Sequence, residues 1–528
     1  MTQVLARSSL RPTPQKIIVP RKHRQVLIEP PPAELQAALA SASALPADGN
    51  TPFGRSLEQL RAQGRRHLLD QATRWAEWIG APAPSAAALE RPWVITGHQV
   101  EFYHAGVWAK VLAADVLAKR VGGGGGGGGG GEGIAFDLLV DHDTVDHLGF
   151  DLPVQVGNSW QRKTVEWAPA SSVPADGLFA PTREQFERWD AEIGRYPLAQ
   201  TDSLAFFLSA LRPHGENIPY TQWLSKARAA FERAMNVHVH HVPTSLLCSG
   251  EIWQMFVRAW AEHAEEWIPL YNKHLAAYRA RQGIKNPQHP MPDLAMTGDM
   301  RELPFWTYVP GQPRERLVVR KGADPFGAIA AEAVIRPRAL ALTMFVRLFF
   351  ADMFIHGIGG ALYDQITDEL LRDLVGVVPP YGCVSAAWLL PLGQPLENTD
   401  DIAALKWRRH HAAHNPQLAI DPFTALKTDV AELIRDRRVL VEQIGSSLAT
   451  ARNDSAARRQ RRECFDQLHA LNAALHAKAP RLLANLDHQI ADALRAREEN
   501  KVLLWREYFF GLHSMESLQK LIAGVKSR

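Results

Sequence analysis

A chain of 528 residues exceeds one hydrophobic core, so two or three domains are expected, and 46% hydrophobic residues supply the apolar surface for them. A formal net charge of +3 is too small to argue for a nucleic-acid partner. Three cysteines, Cys248, Cys383 and Cys464, are odd in number and far apart, which argues against a disulfide framework or a paired-thiolate zinc motif and makes a reducing cytoplasm the expected compartment.

Residues 1–50 read as an extended Pro- and Ala-rich arm. It carries Arg7, Arg11, Lys16, Arg21, Lys22 and Arg24, but Pro12, Pro14 and Pro20 break any helix and no apolar h-region follows, so no targeting device is expected. Leu60, Leu68, Leu69, Ala72, Trp75 and Trp78 give an amphipathic helix over Leu57–Ile79 its apolar face. The strand Trp93-Val94-Ile95 then runs into a polar loop, Thr96-Gly97-His98-Gln99. A helix from about Tyr103 to Arg120 follows, with Ala105, Val107, Trp108, Val111, Leu112, Val116 and Leu117 setting one face on a sheet. A second apolar strand ends in Asp141-His142-Asp143. This β-loop-α-β unit gathers its polar residues at the carboxyl ends of two strands, where open α/β sheets hold ligands.

Gly97 permits a sharp turn, and the amides opening the helix can receive a phosphate or carboxylate. Lys110, two turns in, either reaches back to that anion or snorkels from the sheet to water. The glycines Gly122–Gly131 read as a flexible surface insertion, because ten unsubstituted glycines cannot hold the geometry of a phosphate loop.

Short strands are expected at Phe150–Val156 and Thr164–Trp167, followed by an inserted helical subdomain over about 176–300 with helices at Arg183–Ile193, Leu204–Leu211 and Tyr220–Ala234. Val237–His240 alternates as a strand does, placing His238 and His240 on one face about 6.6 Å apart. They read as a metal pair or a strand face. Glu251–Arg281 reads as one long helix. Leu303–Val309 and Arg314–Lys321 form a basic hairpin, which either clamps a nucleotide phosphate or protects an edge strand with charge. After a helix at Arg338–Asp352, the turn His356-Gly357-Ile358-Gly359-Gly360 opens a further helix, Leu362–Leu374, so its glycines let backbone amides approach a ligand. The longest apolar run, Ala339–Ile355, is too short to span a bilayer of about 30 Å, so no membrane partner is expected. From about Asp421 the spacing of Leu426, Val430, Leu433, Val441, Ile444 and Leu448 marks a long helix broken at Asn453-Asp454-Ser455. Its continuation returns through Leu468 and Leu494 and is split at Pro480: a hairpin or coiled coil over 421–528 with a homodimer contact as one expected role. The apolar stretch Val502–Phe510 is expected to dock on the core.

The order Thr96-Gly97-His98-Gln99, Lys110, Asp141-His142-Asp143, His147, and then Ile335-Arg336-Pro337 with Phe354–Tyr363 resembles the bacillithiol-biosynthesis cysteine-adding enzymes (BshC), over roughly residues 91–390. His98 stands where that family has Gln, and the downstream turn lacks its Gly-Pro-Gly-Glu. The resemblance implies a ligase joining cysteine to a glucosaminyl-malate-like acceptor through an amide, with ATP or ADP as the expected nucleotide. The whole chain then reads as α/β, with a Rossmann-like, class I tRNA synthetase-like core over 51–420, helical insertions and the C-terminal hairpin. His98, Asp141, His142 and Asp143 are the catalytic candidates; Thr96, Gly97, Gln99, Lys110, His356, Gly357, Gly359 and Gly360 are the nucleotide-binding ones. The cluster Asp141–His147 leaves a second reading open, a metal-dependent hydrolase, since it partly matches His-x-His-x-Asp-His with Thr144 in place of the second histidine. A non-catalytic scaffold retaining the fold is the third.

Overall fold

The structure, a computed structural model, describes residues 17–41, 51–121, 132–396, 401–418, 420–450 and 455–528. The glycine run Gly122–Gly131, much of the N-terminal arm and the break at Asn453-Asp454 lie outside the described residues. In chain order the strands are β1 (Gln25–Glu29), β2 (Trp93–Gln99), β3 (Ile134–Val140), β4 (Leu148–Val156), β5 (Ser159–Ala168), β6 (His240–Pro243), β7 (Met296–Thr297), β8 (Met300–Tyr308), β9 (Glu315–Arg320), β10 (Val334–Pro337), β11 (Met353–His356) and β12 (Tyr381–Ala387).

Six of them form one sheet in the order β1-β12-β11-β2-β3-β6. All neighbours from β12 to β6 are parallel, and β1 pairs antiparallel at the edge. Counted in chain order, the five parallel strands lie third-second-first-fourth-fifth. That is the Rossmann arrangement, and it reverses between β2 and β11. The Rossmann-like α/β core expected from the sequence is therefore present, and the reversal makes a crevice at the carboxyl ends of those two strands.

The strands are near-continuous apolar runs because both sheet faces are covered; every residue of β12 is buried. Asp352 fixes the starts of β2 and β11 together: it accepts Trp93 N–H at 2.8 Å and pairs with Arg61 at 2.7 Å and with Arg65, both from the helix Leu57–Ile79. Trp78 leaves that helix's apolar face and is exposed, packed edge-on against Trp75.

Several elements differ from expectation. Thr96–Gln99 is no loop: it continues β2 and pairs with Asp137–Val140. The following helix, Ala105–Val121, is buried on nearly all sides rather than on one, since the helices Pro32–Ser41 and Met515–Lys526 also pack on it. The arm thus contributes β1 and the helix Pro32–Ser41 to the core. The long helix over 251–281 is two, Glu251–Glu262 and Ala264–Gln282, turned at His263 so that Trp260 and Trp267 meet edge-on in the core. The strand expected at Val237–His240 starts only at His240, where pairing with β3 begins.

The chain divides into two compact units. The first holds the described residues up to Val154, Arg162–Pro391 and Arg506–Arg528; the second holds Gln155–Gln161 and Leu392–Trp505. The boundary expected near 421 thus lies at Leu392, because the helix Ile402–His414 packs on Arg481–Leu503. The last 23 residues, placed in the hairpin region by the sequence, belong to the first unit; within the apolar stretch expected to dock on the core, Tyr508, Phe509 and Phe510 are buried there. In the second unit the helices Thr428–Thr450 and Ser455–Lys478 pair around Ile420, Val430 and Leu475, and Pro480 separates Ser455–Lys478 from Arg481–Leu503.

Candidate functional site

The reversal point brings together residues more than 250 positions apart. Thr96 Oγ1 donates to Ile355 O at 2.8 Å, tying β2 to β11; fully buried, it serves as a clamp and offers nothing to a ligand. Lys110 neither snorkels nor reaches water. It is buried and donates to Gly97 O at 2.7 Å, and its Cδ lies 3.7 Å from where a Cβ at Gly357 would stand. Burial, resisted by Asp137 and reinforced by Arg228, pulls its amine down to about 8. Burial, with the nearby charge of Lys110, also holds His98 well below the ordinary imidazole value.

Across the reversal, His356 ends β11 and the helix Ile358–Leu374 begins at once, so Gly359 and Gly360 lie in its first turn rather than in a preceding loop. A Cβ at Gly360 would sit 2.7 Å from His356 Nδ1, so only glycine leaves room for the ring. His356 Nε2 bonds Asp364 Oδ2 at 2.8 Å, and Asp364 is held in turn by Arg347 at 2.7 Å. Burial lowers the His356 pKa against the pull of Asp364, leaving a neutral imidazole whose Nε2–H is committed to the carboxylate.

The amides opening the helix Ala105–Val121, expected to receive an anion, are already capped. His104 Nδ1 accepts Gly106 N–H at 3.0 Å, and His104 O accepts the amides of Val107 and Trp108. Gly106 lets this helix lie against β12, where a Cβ would stand 2.6 Å from Ala386 O. Burial, with Arg506 and Lys110 nearby, lowers His104 to about 3.

The Asp141–Asp143 triplet, directly after β3, splits between two tasks. Asp141 turns inward, accepting Ser245 N–H and Thr244 Oγ1–H at 2.9 Å and Ser245 Oγ–H at 2.5 Å. His142 is buried, with Nδ1 2.7 Å from Thr244 Oγ1 and a further bond to the Pro337 backbone; burial drops it to about 3. Asp143 alone faces outward. It accepts Gln99 Nε2–H at 3.0 Å and pairs with Arg314 of the basic hairpin, whose guanidinium lies 4.8 Å from the Trp306 ring. His98, Gly97, Lys110, His356, Gly357, Gly359 and Gly360 thus share the reversal point; Gln99 and Asp143 lie toward the β3 end, and Asp141 and His142 are spent on structure. Among the described residues no group of three His, Cys, Asp or Glu side chains is arranged to hold a metal, and no helix is long and apolar enough to cross a membrane.

A charged network under the crevice escaped the sequence reading. Arg228 bonds Asp137 at 2.6 Å and Tyr103 OH; His241 pairs with Glu232 at 2.8 Å and Asp137 at 3.3 Å. Burial opposes both charges, yet Glu232 and Asp137 push His241 up to about 9, while Arg228 leaves Asp137 below the usual carboxylate value despite its burial. The signal was Asp137 inside an otherwise apolar strand, and Arg228 and Glu232 four apart on one helix. Glu101 was also missed: burial, then Asp146, raises its carboxyl to about 7.

No protein-family model matches the chain, and no curated protein does. Among solved structures, the crystal structure of Plasmodium falciparum tryptophanyl-tRNA synthetase is similar at 9% identity over 84% of this chain and 94% of that one, with a TM-score of 0.22. A likeness at that score carries no argument, and the fold rests on the strand order alone.

Proposed function

We propose that the chain is a cytoplasmic amide-forming ligase of the bacillithiol cysteine-adding kind, which joins cysteine to a glucosaminyl-malate-like acceptor and holds ATP or ADP in the crevice between β2 and β11. The observation that carries this reading is the meeting of Gly97, His98 and Lys110 with His356 and the Gly357–Gly360 turn where the strand order reverses. A buried amine, a glycine-rich helix start and neutral imidazoles suit phosphate oxygens.

A nucleotide supplies the activation that a free carboxylate needs before an amine can displace its oxygen. The residues supply the rest. Lys110 offsets negative charge, Gly357 and Gly359 keep the helix start open, and Asp364 fixes His356 so that its proton sits on Nε2 and Nδ1 carries the lone pair. A neutral imidazole of that kind can take the proton an attacking amine loses. The homodimer contact through the second-unit helices belongs to the same proposal.

The test is thermal shift and calorimetry on the purified protein with ATP, ADP, cysteine and glucosaminyl malate, followed by mass spectrometry for the amide. A ligand at 100 times its dissociation constant adds about 2.7 kcal/mol of stability. Nucleotide stabilisation that His356→Ala removes, with amide formed, supports the ligase. A panel without response overturns it and leaves the scaffold reading.

A further inference from the structure

We infer that Arg506 is an oxyanion-binding residue of the crevice, placed by the returning C-terminal segment to hold a phosphate group of a nucleoside polyphosphate. The inference rests on the nucleotide reading above and adds to it a residue from the far end of the chain.

The placement follows from how the segment docks. Phe510 N–H donates to Tyr103 O at 3.1 Å, and Phe509 bridges antiparallel to His104, so the strap lies along the turn that enters the helix Ala105–Val121. Phe510 stacks on Trp108 with ring centroids 4.8 Å apart and planes 3° from parallel; Phe509 packs edge-on to Phe102 at 5.1 Å. Both are buried. With these two rings fixed, Arg506, three residues upstream, stands beside His104 and β12.

Its partners are unlike those of the structural arginines. Arg61, Arg228 and Arg347 are buried, and each meets a carboxylate at 2.6 to 2.7 Å. Arg506 is half-buried, held by a 3.4 Å bond to Ser385 Oγ and a loose 3.8 Å approach to Glu507. A guanidinium presents five donors in a fork that matches phosphate oxygens. Its charge also bears on His104, whose Nδ1 is taken by Gly106 N–H, which puts the ring proton on Nε2. Lys110 acts on the same imidazole, and burial weakens the hold of both His104 and Arg506 on their protons. Two cations and a donor imidazole suit an oxyanion, since Glu507 approaches Arg506 only loosely at 3.8 Å and Asp137 does not outweigh the burial of Lys110. Three such groups around one crevice fit a polyphosphate better than a single carboxylate.

The experiment is isothermal titration of the full-length protein and its Arg506→Gln, Arg506→Lys and Ser385→Ala variants with ATP, inorganic tripolyphosphate, adenosine and malate, at two salt concentrations. Arg506→Gln is expected to weaken ATP and tripolyphosphate on the order of 10- to 100-fold, to flatten their salt dependence, and to leave adenosine unchanged. Arg506→Lys recovers part of the loss, and Ser385→Ala, which frees the guanidinium from its tether, gives a smaller one. If Arg506→Gln does not fold, the lysine and alanine variants carry the comparison. Undiminished ATP and tripolyphosphate binding in the Arg506 variants overturns the inference and leaves the nucleotide reading standing. Arg506-dependent tripolyphosphate binding without ATP binding keeps the oxyanion site and overturns the nucleotide reading. Malate binding alone overturns the phosphate assignment, and binding of none of these probes overturns both.

Discussion

Lys110 shows how single residues in this crevice set stability against use. Its folded pKa, about 8, lies below the ordinary amine value because the charge is buried. Between about pH 8 and 10.5 the unfolded chain therefore holds more protons, and stability rises with pH across that window by up to roughly 3 kcal/mol. Lys110→Met removes the burden and also the bond to Gly97 O, worth about 1 kcal/mol. The variant should be about 2 kcal/mol more stable at pH 7, show a flatter pH profile, and lose nucleotide binding. Urea unfolding at pH 7 and 10 decides this, and a variant less stable than the parent at pH 7 sinks it. Glu101 gives the opposite sign. Its folded pKa, about 7, lies above the unfolded one because of burial and Asp146, so the folded state holds the extra proton. Stability then falls as pH rises from about 4.5 to 7, by up to about 3 kcal/mol. Glu101→Gln should abolish that fall, and an unchanged melting profile between pH 5 and 8 would refute the assignment. Lys110 was legible in the sequence as a cation among apolar positions, but its burial was not, because no periodicity tells that the helix is covered on every side. Glu101 and Arg506 gave no signal. One lies in a short aromatic-rich turn, the other inside an apolar stretch whose docking was expected but whose charged residue was given no role.

At the scale of elements, the helix Ile358–Leu374 is fixed by a fully buried ion pair, Arg347 with Asp364, and Arg347 also bonds Asp368 at 2.6 Å. Removing one partner strands the other's charge, so Asp364→Asn should cost about 3 to 5 kcal/mol and free the His356 ring. Replacing both with Arg347→Met and Asp364→Leu should cost less than either single change. Chemical denaturation of Asp364→Asn, of Arg347→Met and Asp364→Leu singly, and of the double mutant tests this, and an additive double mutant would remove the pair from the account. Patterning exposed these helices well: Leu57–Ile79, Arg183–Ile193 and Tyr220–Ala234 are found where the apolar spacing puts them. It failed where tertiary pairing overrode local character. Thr96–Gln99 is polar, yet β3 supplies a partner for each residue and keeps it extended. Val237–Val239 alternates, yet the neighbouring strand begins its pairing only at His240. The site followed the same division, since the strand ends were visible and their inward or outward turn was not. Asp141 and His142 became structural because Thr244 and Ser245, a hundred residues on, come to meet them.

The whole molecule holds separate cores, and that has a thermodynamic consequence. The first unit is built on an extensive apolar cluster that includes Trp93, Phe136, Trp253, Phe345 and Leu348. The second encloses Ile420, Val430 and Leu475 among its described residues, with polar ties such as Arg437 to Asn472 at 2.8 Å. Cores of such different size have no reason to melt at one temperature, so the protein should not unfold as a single two-state system. Differential scanning calorimetry should resolve two transitions, the lower from the second unit. Val430→Ala should move only the lower one, and Leu348→Ala, costing about 2 to 5 kcal/mol, only the upper. Phe510→Ala gives the sharper discrimination, because its sequence neighbours up to Trp505 lie in the second unit while its ring stacks on Trp108 in the first. It should lower the upper transition and leave the other in place. A single transition with equal calorimetric and van't Hoff enthalpies, shifted by all three substitutions alike, would show one cooperative unit and reverse the assignment of the last 23 residues to the first unit.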